Sequence, residues 1–295
     1  MGVKGNLHDT IASYAMAAPR IDAHHHFWIY SAKEYGWMSD RMNAIRRNFL
    51  PPDLQAAIAP TGINGVVSVQ ARQTLAETKF LLDHAAKHAF IKGVVGWVPL
   101  IDPQVGDLLA NYMSQPKLRG VRHVLHDEAD DRYMLRPDFQ RGIETLHYFG
   151  LTYDLLIFEK HLPYAIELVD QHPQVTFIVD HIAKPKIKER LLEPWRQNIR
   201  RLAERPNVFC KISGMVTEAD WTKWTPADLA PYLDTVLEAF TPRRLMFGSD
   251  WPVCLVAASY ARWHAVVAQR LAQLSPAEQA RIWGETAVAA YSLKI

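Results

Sequence analysis

Residues 20–27 read RIDAHHHF, a short apolar run that ends on three histidines. Side chains alternate along a strand, so His24 and His26 share a face and His25 takes the other. Seven more short β-rich runs follow. They are GVVSVQA (65–71), KGVVGWVPL (92–100), RGVRHVL (119–125), LTYDLLI (151–157), TFIVDHI (176–182), VFCKISG (208–214) and RLMFGSD (244–250). Helical patterns lie between them. This alternation is the mark of βα units around a parallel sheet. Eight such units in 295 residues predict a (β/α)8 TIM barrel over residues 20–295, preceded by a short N-terminal extension, residues 1–19. A doubly wound open sheet is the alternative. It is weakened because no glycine-rich phosphate turn follows the first strand.

The helices carry their own punctuation. Leu75, Lys79–Leu82 and Ala85–Ala86 recur at helical spacing. FEKHLPYAIELVDQHP stops at Pro173 and LLEPWRQNIRRLAERP stops at Pro206, since the residue before a proline leaves the α region. TPADLAPYLDTVLEAF opens with a threonine cap and Pro226. SPAEQARIWGETAVAAYSL opens with Ser-Pro and sets Glu278 to close a capping box.

Composition bounds the function. Net charge is +2, and the lysines and arginines are scattered, so nothing argues for nucleic acid. Two cysteines, Cys210 and Cys254, make neither a disulfide framework nor a CxxC site, which fits a reducing, cytoplasmic setting. No apolar run approaches a membrane span, and the N-terminal stretch reads as a tail or short helix rather than a signal peptide. Nine tryptophans and eleven tyrosines serve either core packing or a cleft with stacking surfaces.

Chemistry in a barrel sits at the C-terminal strand ends. The first strand ends on His24-His25-His26, the second on Gln70 and Arg72, the third near Trp97. The fourth carries Arg122 and His123, the fifth Asp154. The sixth ends on Asp180-His181 with Lys184 beyond. The seventh carries Lys211 and Ser213, and the eighth ends on Ser249-Asp250 and Trp251. One polar residue at a strand end is ordinarily a satisfied structural group. A dozen converging on one mouth would be costly to bury without purpose. A closed barrel sets the eighth strand beside the first, so Asp250 faces His24 and His26. Two imidazoles so spaced grip one metal ion or polarise one carbonyl oxygen. His25 is expected to pack outward.

With His24-x-His26, His181 and Asp250 in place, the chain resembles the amidohydrolase superfamily of (β/α)8 hydrolases. IDAHHHFW, VVSVQAR, GVVGWV, GVRHVLHDE, YDLLIFEKHLP, DHIAKP, CKISGMVTEADW and LMFGSDWPVCL narrow the resemblance to its sugar-lactonase branch, above all the L-fuconolactonases. These blocks run from residue 20 to 255. The superfamily's dinuclear members carry a bridging lysine on the fourth strand, where this chain reads GVRHVL. Its metal-binding members end the fifth strand on histidine, where this chain reads YDLLIF. The resemblance therefore implies a lactonase that requires no divalent metal. His24, His26 and Asp250 remain candidate ligands for zinc.

The expected reaction is attack of water on a sugar lactone, opening the ring to an aldonic acid. Asp250 would be general base and then acid, with His24, His26 and His181 on the carbonyl oxygen. Expected sugar contacts are Gln70 and Arg72 first, then Arg122, His123, Asp154 and Lys184, with Trp28, Trp97 and Trp251 as apolar walls. Arg122 and His123 point opposite ways, and alternation does not say which faces the sugar. GWM around Trp37 and EADWTKW (218–224) lie in loops expected on the active face, where a lid is one reading. KPKIKER reads as a solvated loop, with Lys184 nearest the site. Two other readings compete. One is a metal-dependent amidase or decarboxylase of the same superfamily, which chelation would silence. The other is a silent sugar-binding barrel, which would release no acid.

Overall fold

A computed structural model describes residues 18–295; residues 1–17 of the expected N-terminal extension lie outside them. All eight expected strands form, as β1 (Ile21–His25), β2 (Gly65–Val69), β3 (Ile91–Gly96), β4 (Leu118–Val124), β5 (Thr152–Leu156), β6 (Phe177–Val179), β7 (Val208–Ile212) and β8 (Leu245–Phe247). They pair in parallel and in chain order, β1 through β8. The last strand turns back to the first through a parallel bridge, His25 to Trp251. Two bonds fix that seam, His26 N–H to the Trp251 carbonyl (2.7 Å) and Asp250 N–H to the His24 carbonyl (2.8 Å). The (β/α)8 barrel is therefore confirmed.

The helices surround the strands: α1 (Pro51–Ile58), α2 (Leu75–Lys87), α3 (Val105–Tyr112), α4 (Pro137–Tyr148), α5 (Leu162–Gln171), α6 (Trp195–Ala203), α7 (Pro226–Phe240) and α8 (Tyr260–Leu271). Thr225 and Asp228 close a capping box at α7, and Ser275 and Glu278 close one at α9 (Pro276–Ala280). The long C-terminal helical pattern forms as one continuous helical run in which a π turn at Arg281–Glu285 joins α9 to α10 (Thr286–Ala290). Among the described residues, no helix is long and apolar enough to cross a membrane.

The core has two parts. The larger lies between strands and helices. The smaller fills the barrel with Ile21, Ala23, Val67, Val69, Val95, Ile178 and Met246, joined by Tyr291 and Leu293 from the C-terminal tail. Above this apolar layer the interior turns polar. Arg122 and Asp154, register partners on β4 and β5, occupy it with Lys211 of β7, each at most 3 % exposed.

Strict alternation would set Ala23 and His24 on opposite faces of β1. A register shift between Asp22 and His25 removes the conflict. Ala23 joins the interior plug. Asp22 turns toward α8 and accepts bonds from Tyr260 Oη (3.0 Å) and Ser249 N–H (2.8 Å). His24 still points inward. A β-bulge is a usual device for re-aiming a side chain beside a site.

Asp22 is fully buried, and that burial pushes its pKa up to about 6 despite the bonds from Ser249 and Tyr260. A raised folded-state pKa gives stability that is complete below the unfolded value and is lost as pH rises through about 6. Asp22→Asn removes this titration. The stability difference between wild type and the variant should therefore shift in the variant's favour by roughly 1 kcal/mol from pH 5 to pH 7.5. Denaturant unfolding at the two pH values measures it; an unchanged difference would contradict the assignment.

Candidate active site

Three imidazoles and one carboxylate meet where the barrel opens. Asp250 Oδ1 lies 3.4 Å from His26 Nε2, 3.8 Å from His24 Nε2 and 3.9 Å from His181 Nε2. All four residues are at most 4 % exposed. Asp250 adopts φ +56°, in the left-handed region, and that turn brings its carboxylate across the seam to the histidines. His181 opens a run of four left-handed residues, His181 to Lys184, none of them glycine. Such residues store strain, and strain of this kind collects at functional sites. Trp195 Nε1 pins the turn by donating to the Ile182 carbonyl (2.7 Å).

Each ring's inner nitrogen is set by what its outer nitrogen meets. His26 Nδ1 lies 2.8 Å from the Val69 carbonyl, which can only accept. Nδ1 therefore carries the proton, and in the neutral ring Nε2 is bare. His181 Nδ1 lies 2.8 Å from Ser213 Oγ. A hydroxyl can donate there, which leaves His181 Nε2–H aimed at the mouth. His24 Nδ1 has two neighbours, Asp180 Oδ1 at 3.2 Å and Lys211 Nζ at 3.1 Å.

Electrostatics divide the roles. Burial pushes His181 down to about 4, so its ring is neutral near pH 7. Burial works to raise Asp250, yet His181, His26 and Lys184 together hold it below the ordinary carboxylate value. Asp250 is thus an ionised acceptor beside a neutral donor. Burial, reinforced by Lys211 and opposed by Asp180, holds His24 well below the usual imidazole value.

A cavity of about 370 Å³ opens over this floor. His26, His181, Asp250, Arg122 and Lys184 line it. Of the remaining expected residues, His24 sits behind the wall. Gln70 is buried and braces Arg122, accepting from its Nη2 at 3.0 Å. Arg72 is drawn off to Glu77 (2.6 Å) and Glu34 (2.8 Å). His123 faces outward, stacks on Tyr133 and meets Glu128 Oε1 at 2.6 Å. So Arg122, not His123, faces the cavity. Asp154 is locked to Lys211 (2.6 Å) and Tyr291 Oη (2.7 Å). Trp28 and Trp251 pack against Phe49 in the core, and Trp97 Nε1 donates to His123 (3.3 Å). His25 points outward, bonded to Ser68 Oγ (2.9 Å).

Sequence reading left the cavity's other walls unassigned. Trp37, Met42, Phe158, Trp221 and Val253 supply apolar surface, and Glu218 pairs with Lys184 beside them. The two loops flagged for tryptophan, around Trp37 and Trp221, both reach the cavity. A more open hollow of about 730 Å³ adjoins it, but of the strand-end residues only Lys184 reaches it.

Gly214 is needed where it stands. Its φ is +62°, and an added Cβ would overlap the His181 ring and lie 2.9 Å from His181 Cβ. Gly214→Ala should lower kcat by on the order of tenfold or more, since a misaimed donor weakens stabilisation of the reacting oxygen. Steady-state kinetics with a fold check by circular dichroism reads this; unchanged kcat would remove His181 from the chemistry.

The donor set also fits a metal ion. Ligands 2.0–2.1 Å from a tetrahedral zinc stand roughly 3.3 Å apart. His24 Nε2 to His26 Nε2 is 3.2 Å, and Asp250 lies 3.4 and 3.8 Å from them. His26 and His181 have second partners of the sort that orient metal-binding imidazoles, Val69 O and Ser213 Oγ.

A parallel barrel with its reactive groups gathered at the C-terminal strand ends is the architecture of a (β/α)8-barrel enzyme. The chain belongs to the Amidohydrolase family (Amidohydro_2), whose model matches residues 21–293. It is 42 % identical over 290 residues to an L-fucono-1,5-lactonase of Burkholderia multivorans (strain ATCC 17616 / 249), covering 94 % of this chain and 97 % of that one. It is 36 % identical to an L-fucono-1,5-lactonase of Burkholderia ambifaria, covering 93 % of this chain and 96 % of the relative. A crystal structure of a Burkholderia multivorans amidohydrolase with bound zinc superposes with TM-score 0.91 at 42 % identity, covering 94 % of this chain and all of that chain.

Proposed function

We propose that this chain hydrolyses a sugar lactone, L-fucono-1,5-lactone or a close relative, to the aldonic acid. The observation that carries the reading is Asp250, an ionised carboxylate 3.4–3.9 Å from three imidazole nitrogens at the floor of a cavity of about 370 Å³. The likeness to two L-fucono-1,5-lactonases supports the substrate class.

Water held by Asp250 gives it a proton as the water oxygen bonds to the lactone carbonyl carbon. His181 Nε2–H stabilises the charge on the carbonyl oxygen. Arg122, which lines the cavity, assists as a fixed positive charge near that oxygen. When the ring C–O bond breaks, Asp250 returns the proton to the leaving oxygen. His24 and His26 thus have parts different from direct donation to the carbonyl. His24 orients and His26 accepts, because a backbone carbonyl claims the outer proton of His26. Lys184 and Glu218 meet the sugar hydroxyls, and Trp37 and Trp221 cover its apolar face.

His24, His26 and Asp250 would hold a divalent metal, and a bound metal would supply Lewis-acid polarisation of the carbonyl. We take catalysis to proceed without it. The ligand spacing and the zinc-bound relative favour, as the second reading, a metal-dependent hydrolase. A pH-indicator screen of aldonolactones with and without chelator separates the readings. Acid release from L-fucono-1,5-lactone, unaffected by chelator, is expected. Loss restored by zinc would establish the metal-dependent reading; binding without acid release would make the barrel a sugar-binding protein; silence across all lactones would overturn the substrate class.

A further inference from the structure

Lys211 is fully buried in the barrel interior, and the proposed reaction does not use it. Its ammonium is held by Asp154 Oδ2 (2.6 Å) and Asp180 Oδ1 (2.9 Å), over the Tyr291 ring. Tyr291 Oη bonds the same Asp154 oxygen from below (2.7 Å). So fastened, Lys211 Nζ stands 3.1 Å from His24 Nδ1, on the far side of the ring from the Asp250 cluster.

We infer that Lys211 is a built-in cation that holds down the metal affinity of the His24–His26–Asp250 cluster. A histidine that binds a metal usually gives its other N–H to a carboxylate. Asp180 offers that partner to His24 at 3.2 Å, and Lys211 competes for the same nitrogen. An ammonium only donates. When it donates to Nδ1, the ring proton sits on Nε2, the atom a metal would need. His24 Nε2–H then points at the bare Nε2 of His26, 3.2 Å away, and both rings are satisfied. The other arrangement gives Nδ1–H to Asp180 and leaves two bare nitrogens facing each other. Among the described residues only Arg122 Nη1, at 3.4 Å, is then near enough to donate to His24 Nε2. That second arrangement is the metal-ready one. Lys211 opposes it twice, by claiming Nδ1 and by repelling a dication one ring away. The number of protons is the same in both arrangements; only the site of one differs.

The test measures zinc binding directly, without substrate, so it stands apart from the lactonase reading. Lys211→Met removes the charge at similar length. Because it leaves Asp154 and Asp180 short of a partner, Lys211→Met/Asp154→Asn is made alongside it to keep the buried charge balanced. Zinc affinity is read by competition with a chelating indicator, and the protonated ring nitrogen of His24 by 15N NMR of the metal-free proteins. Whichever variant folds should bind zinc roughly tenfold or more tightly than wild type. The His24 proton should move from Nε2 in wild type to Nδ1 in the variant. Equal or weaker zinc binding in the folded double variant would overturn the inference, as would a wild-type His24 protonated on Nδ1.

Discussion

Asp250→Asn is expected to lower kcat by on the order of 10²–10⁴-fold, the usual contribution of a positioned general base. The substitution is nearly isosteric, and asparagine tolerates the left-handed backbone that Asp250 requires at φ +56°. The backbone bond from residue 250 to the His24 carbonyl does not depend on the side chain. The fold should therefore survive and KM should change little, while the amide cannot take a proton from water. Stopped or steady-state assays of lactone opening, corrected for spontaneous hydrolysis, decide it. Turnover within a fewfold of wild type would remove Asp250 as the base.

Asp180→Ala has the largest expected effect on stability, a loss of about 3–5 kcal/mol. Asp180 accepts from Arg122 Nη1 at 2.8 Å and from Lys211 at 2.9 Å, and it lies 3.2 Å from His24. Burial would raise its pKa, but Lys211, His24 and Arg122 hold it well below the ordinary carboxylate value. Removing it leaves buried Arg122 without a carboxylate partner among the described residues and Lys211 with Asp154 alone, in a place that water cannot repair. Urea unfolding would show the loss as a lower midpoint. A shift under 1 kcal/mol would mean that the network relaxes around the gap.

The eight strand positions and the helix caps were legible because each is a local signal. A β-rich run between turn residues makes a strand wherever it lies, and Ser-Pro or Thr-Pro before a helical period starts a helix. The meeting of His24, His26, His181 and Asp250 was legible for a different reason: barrel topology fixes which strand ends are neighbours. The cavity lining was harder to read. Gln70 and Arg72 both follow β2, but Glu77 and Glu34 recruit Arg72 and Arg122 recruits Gln70. Glu77 is close to Arg72 in sequence, but Glu34 and Arg122 are distant partners that only the fold brings near. Trp37 and Trp221 lie in loops, where no periodicity aims a side chain.

The HHH triplet shows where local information ends. The amino-acid order by itself settled that a strand ends there, that its middle histidine opposes the other two, and that an aspartate after the last strand would face it. Three matters were decided only by the assembled barrel. The shift between Asp22 and His25 lets Ala23 fill the interior while His24 still points into it. The Val69 carbonyl places the proton of His26 on its outer nitrogen. The fixed charge of Lys211 was set beside His24 by strands far apart in the chain. The physical reason is range. Backbone pattern and turn chemistry act over a few residues, whereas a ring's proton and a carboxylate's charge answer to whatever lies within about 4 Å in space.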